Sequence, residues 1–179
     1  MPFHKLLIFY LCITIFCTTS AQNFEAGYII LNSNDTVKGL IRNDGWERSP
    51  QTILFRAEGQ SDVLSYNPAT IKAFFISDIL YYSFDADINT KSRSLKDLGY
   101  DTSMYFIHDT VFMKTLVRSA NGLSLYSYTD AYATERFFVR QDDTINELLL
   151  NIFKIYILYN DIKVTRSIYL TQLGNYTRD

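Results

Sequence analysis

The sequence predicts a mainly β fold: an antiparallel sandwich or partly open barrel carrying a C-terminal α-helical segment, α+β overall. Three observations carry this. Short runs of β-branched and aromatic residues recur between polar turn clusters, at spacings of about ten residues. The 14 Tyr and 13 Phe fall mostly within those runs, where flat rings pack well on a pleated surface. Near residue 145 the apolar period changes from that of a strand to that of a helix.

The first 21 residues predict a signal peptide. Lys5 makes a short positive start, Leu6–Cys17 an apolar stretch, and Thr19-Ser20-Ala21 a small-residue cleavage site before Gln22. The stretch is shorter than the roughly 20 residues of a membrane-spanning helix. Phe16 and Ile15 ahead of Cys17 argue against a lipoprotein site. Both cysteines, Cys12 and Cys17, leave with the leader, so the mature chain has no thiol for a disulfide, a metal or a nucleophile. Residues 22–179 are expected to form one domain.

Strands are expected in order from Phe24. Phe24–Leu31 and Thr36–Arg42 flank the polar cluster Asn32-Ser33-Asn34-Asp35 as a hairpin. A loop containing Asn43-Asp44-Gly45, Trp46 and Pro50 follows. Thr52–Arg56 and Asp62–Tyr66 form a second hairpin, and Asn67-Pro68-Ala69-Thr70 a turn. Ile71–Ile76 and Ile79–Ile88 are strands, and the unpatterned stretch Asn89–Tyr105 is expected to be a mobile loop. Thr110–Arg118, the Asn121-Gly122 turn, Leu123–Tyr128 and Glu135–Arg140 continue the sheet. Ile145, Leu148, Leu149, Ile152, Phe153, Tyr156 and Ile157 share one helical face, with Thr144 and Glu147 as a capping box. A helix over Thr144–Tyr159 is therefore expected to close the inner face of the sheet. A shorter one is expected at Arg166–Leu173, stopped by Gly174.

Composition narrows the chemistry. Lys+Arg total 17 against Asp+Glu 19, a net charge of −2, which excludes a polybasic nucleic-acid binder. After cleavage His108 is the one histidine, and no Gly-x-Ser-x-Gly elbow is present. Its neighbour Asp109 would project from the opposite side of a strand, so a Ser–His–Asp set is not expected. Zinc would need three or four Cys, His or carboxylate ligands. Asp85-Ala86-Asp87-Ile88-Asn89 opens like an EF-hand loop, but Thr90 stands where Gly belongs and Lys96 where the bidentate Glu belongs. Only a looser calcium site at Asp85 and Asp87 remains on that motif. The glutamates are scattered with no spacing that selects a glycosidase pair. No catalytic, cofactor or metal residues are therefore expected.

Segments of the chain resemble a family of exported proteins from Bacteroidota. The matching residues are Gly27-Tyr28-Ile29-Ile30, Asn34-Asp35-Thr36-Val37-Lys38-Gly39-Leu40-Ile41, Gly45-Trp46-Glu47-Arg48-Ser49-Pro50 and Tyr66–Phe74, with Glu135-Arg136-Phe137-Phe138-Val139 later. The resemblance implies a β-rich module that in longer relatives precedes an outer-membrane β-barrel, and it implies no activity. Periplasmic or outer-membrane-associated localisation is expected, with contacts to an envelope protein or a glycan. Tyr126 and Tyr128, two apart on one strand, with Trp46, are the candidate ligand contacts. Asp35-Thr36, Asp109-Thr110 and Asp143-Thr144, each followed by an aliphatic residue, resemble the O-glycosylation pattern of these bacteria. A membrane barrel formed by the chain itself is disfavoured, because its strands are shorter than the roughly 9–11 residues needed. No transmembrane span is expected in the mature chain.

Overall fold

The computed structural model describes residues 23–94, 96–119 and 122–176. The expected leader, Asn121 of the Asn-Gly turn and the Arg178-Asp179 end lie outside the described residues.

The strands are β1 (Phe24–Leu31), β2 (Thr36–Arg42), β3 (Ile53–Ala57), β4 (Leu64–Tyr66), β5 (Ile71–Ile76), β6 (Ile79–Asn89), β7 (Phe106–Arg118), β8 (Ser124–Thr129), β9 (Glu135–Gln141), β10 (Thr144–Glu147), β11 (Leu150–Ile157) and β12 (Asn160–Ser167). Among the described residues one helix, α1 (Ile168–Tyr176), follows. Ten strands form a single antiparallel sheet in the order β10-β9-β8-β7-β6-β5-β1-β2-β3-β4, and β11 pairs only with β12. The sheet is thus two meanders joined where β5 returns to pair with β1. Its ends, β4 and β10, do not meet, so this is an open sheet and not a closed barrel.

The core occupies both faces. One cluster gathers Ile29, Ile41, Ile53, Phe55, Phe74, Tyr81 and Phe112. The other gathers Ala86, Ile88, Val111, Met113, Tyr126 and Phe138. Side chains alternate along a strand, so Phe112 and its neighbours Val111 and Met113 put these clusters on opposite faces of β7. Gly27 and Gly39 are cross-strand partners. A Cβ at Gly27 would lie 2.2 Å from the Phe75 carbonyl, and one at Gly39 equally close to that of Arg56. Glycine is needed there because backbone approaches backbone.

The expected helix over Thr144–Tyr159 is not formed. Thr144–Glu147 is β10 and Leu150–Ile157 is β11. An apolar run in which almost every residue is aliphatic or aromatic fits a helix face and a doubly buried strand equally well. Here Asn151, Ile152 and Phe153 are consecutive and all buried, which requires cover on both sides of one strand. The pairing of Leu150 with Ser167 through to Ile157 with Asn160 supplies the ladder. The capping residue Glu147 accepts instead from the backbone N–H of Asn89, on β6, at 2.7 Å. The helix lies at Ile168–Tyr176, overlapping the shorter expected one, and runs through Gly174.

The Asn89–Tyr105 connection is pinned to the body. Leu98 is buried, Lys91 Nζ donates to the carbonyls of Asp101 and Ser103, and Arg93 donates to the Glu135 carbonyl at 3.1 Å. Strand β7 starts at Phe106, four residues before the expected position.

Candidate functional site

The three residues singled out as ligand contacts do not converge. Trp46 packs edge-on against Phe74 and Tyr81, with ring centroids 5.8 and 6.1 Å away, and belongs to the first cluster. Tyr126 is 2% exposed in the second cluster, edge-on to Phe84 at 4.7 Å. It is a core residue, and no exposed Tyr126–Tyr128 platform exists. Tyr128 is half-buried, and burial, with Asp130 and Asp109 nearby, pushes its hydroxyl pKa up.

Tyr128 lines a pit of about 270 Å³ with Ser49, Pro50, Gln51, Pro68 and Asp109. Ser49 reaches β8 from the β2–β3 loop: its N–H donates to the Thr129 carbonyl, and its Oγ accepts from the Thr129 N–H, both at 3.0 Å. Those are Thr129 backbone groups left without a strand partner beyond the β7–β8 ladder. Trp46 lines a second pit of about 200 Å³, which Ser49 also lines.

His108 is not partnered by Asp109 but by carboxylates on the next strand. In the β6–β7 register His108 stands opposite Asp87, and Thr110 opposite Asp85. Its Nδ1 lies 2.7 Å from Asp87 Oδ1 and its Nε2 3.0 Å from Asp85 Oδ1. The Asp87 and Asp85 hydrogen bonds hold the imidazole pKa above 6.5. When protonated, the imidazole donates from both ring nitrogens and places a cation between Asp85 and Asp87. The His108 side chain is 64% exposed, and the nearby Thr110 hydroxyl contacts Asp85 at 3.4 Å. No cluster of three or more His, Cys, Asp or Glu side chains placed to hold a metal occurs among the described residues.

A buried ionic network ties β9 and β10 to the β6–β7 loop. Arg136 donates from Nη1 to Glu147 at 3.2 Å, from Nε and Nη2 to Asp130 at 3.2 and 3.1 Å, and from Nη2 to the Lys91 carbonyl at 3.2 Å. Arg93 adds a longer contact to Glu147 at 3.4 Å. Burial pushes the Glu147 carboxyl up, opposed by the Asn89 N–H and by Arg136. All three Arg136 nitrogens are engaged internally, whereas the buried Nε of Arg93 has no hydrogen-bond partner among the described residues.

The feature that sequence reasoning missed is the β11–β12 hairpin, whose tip is apolar and bare. Tyr156, Leu158 and Tyr159 are 62%, 84% and 89% exposed. Leu158 and Tyr159 occupy the two central turn positions with φ of 49° and 67°. That is a left-handed pair which favours Asn and Gly and strains bulky side chains. The hairpin's base is held by Lys154 N–H to the Gly99 carbonyl at 2.9 Å and Asn151 Nδ2 to the Thr102 carbonyl at 2.7 Å. A second exposed apolar group, Tyr105, Phe106 and Ile107, leads into β7.

No described helix is long and apolar enough to cross a membrane, which says nothing of strands. Compared with protein-family models, curated proteins and solved structures, the chain matches none of them.

Proposed function

We propose that the chain is an exported, non-catalytic module of the cell envelope that works by surface contact with an envelope protein. The leader-like first 21 residues and the resemblance to exported Bacteroidota proteins support the location. One observation carries the mode of action. Arg136 is paired with Glu147 and His108 with Asp87, whereas large apolar side chains stand exposed at Tyr105–Ile107 and at the β11–β12 tip. Exposed apolar residues in groups mark contact surfaces.

The test is photo-crosslinking in expressing cells, with a photoreactive residue at Ile107 and, as a control, at Glu58 in the β3–β4 turn. The reading expects a discrete crosslinked envelope protein from Ile107 and none from Glu58. Equal patterns from both positions, or a chain confined to the cytoplasm, would overturn it.

A second reading, ligand binding, is favoured by the two pits beside Ser49, one lined by Trp46 and the other by Tyr128. It expects a shift in tryptophan emission on addition of a glycan that fits. A flat response across a glycan panel removes it.

A further inference from the structure

We infer that the tip of the β11–β12 hairpin docks the chain on an anionic bilayer surface. The inference rests on the envelope reading above and names a second surface for it.

The tip is strained and unrewarded. Leu158 and Tyr159 hold left-handed backbone conformations in which Asn-Gly would sit without strain, and they point into solvent. Neither belongs to either core cluster. Among the described residues, neither side chain is packed into the core, so the fold gains little from apolar groups at these two positions. The tip is also convex: a two-residue turn at the end of a ribbon that pairs with no other strand. Tyr156, Ile157, Leu158 and Tyr159 there combine aliphatic groups with phenol hydroxyls, the mixture suited to the boundary between acyl chains and headgroups.

Charge selects the kind of surface. The chain as a whole is net negative, but this hairpin carries Lys154, Lys163 and Arg166 against a single carboxylate, Asp161. Lys154 and Lys163 are direct cross-strand partners, a like-charge pairing that costs stability. Asp161 is already engaged by the Tyr100 hydroxyl at 2.6 Å and lies 3.9 Å from Lys154. Lys163 and Arg166 have no ion-pair partner among the described residues. An apolar tip with basic shoulders is complementary to anionic headgroups over an acyl layer.

The test is co-sedimentation of the full chain with vesicles of phosphatidylcholine plus phosphatidylglycerol and with vesicles of phosphatidylcholine alone. The first 21 residues are common to all forms, so differences between variants are read. Wild type is expected to pellet with the anionic vesicles, less so with neutral ones, and less as salt rises. L158N/Y159G matches the turn's own preference and so folds, and it is expected to bind at least roughly tenfold more weakly. K154Q/K163Q is expected to lose roughly tenfold or more on anionic vesicles and little on neutral ones.

Equal pelleting of wild type and L158N/Y159G, or no pelleting of wild type, overturns the inference. So does a wild-type dimer that L158N/Y159G makes monomeric, since the tip would then bind a second copy. Absence of vesicle binding alongside a specific crosslink from Ile107 removes the docking tip and leaves the envelope module standing. Vesicle binding without that crosslink does the reverse for the protein partner.

Discussion

Arg136 and Glu147 form an ion pair across adjacent strands β9 and β10 at 3.2 Å, with each side chain only 1% exposed. Removing one partner of such a pair leaves the other charge buried and uncompensated. Arg136→Met should destabilise the fold by about 3–5 kcal/mol, and adding Glu147→Leu should recover a large part of that. Denaturant melts of the single and double variants check this. A double variant no more stable than R136M would show that the network contributes more than charge compensation.

His108 makes the fold pH-sensitive in a defined direction. Its folded-state pKa is raised, chiefly by the hydrogen bond to Asp87 and then that to Asp85. Stability from this site is fully present below about 6.5, the unfolded value, and is lost as pH rises through the higher folded value. An NMR titration should place the imidazole above 6.5, and Asp87→Asn should bring it down. Thermal melts of wild type should lose their advantage over H108Q across that same window.

The hairpin turn should be easy to stabilise. Relieving two left-handed bulky residues with L158N/Y159G should raise stability by about 1–3 kcal/mol, read as a higher Tm. A lower Tm would mean that Leu158 or Tyr159 makes a contact that the fold depends on.

Gly39 should not tolerate a methyl group. Its Cβ would sit 2.2 Å from the Arg56 carbonyl and 2.7 Å from the Phe55 ring. Gly39→Ala should cost about 1–3 kcal/mol through forced backbone movement. Gly45→Ala meets nothing within 4 Å, and its φ of +61° leaves only local strain. A urea series on the two variants separates crowding from conformation.

The legible part of this molecule was local. Gly27 to Phe74 alternates and turns as it folds, because hairpins there are set by neighbouring residues such as Asn34 and by the Asn67-Pro68-Ala69-Thr70 turn. Residues 144–159 were illegible for a physical reason. Their apolar spacing satisfies a helix, and only the tertiary partners of Glu147 and the arrival of β12 decide for strands. The His108 site failed the same way: its carboxylates, Asp85 and Asp87, come from register with β6, which no spacing along the chain reveals. Tyr126 and Tyr128 lie on one strand, as their spacing predicts, but which face becomes core depends on how the whole sheet curls. The bare tip exists only because the segment folds as a hairpin, which places Leu158 and Tyr159 in its turn.

The exposed apolar side chains of the β11–β12 tip are proposed to hold this protein at the membrane. The most direct test is the distribution of the chain between membrane and soluble fractions of expressing cells, comparing wild type with L158N/Y159G. Wild type is expected in the membrane fraction and L158N/Y159G in the soluble one. Identical distributions, with both proteins stably folded, would contradict it.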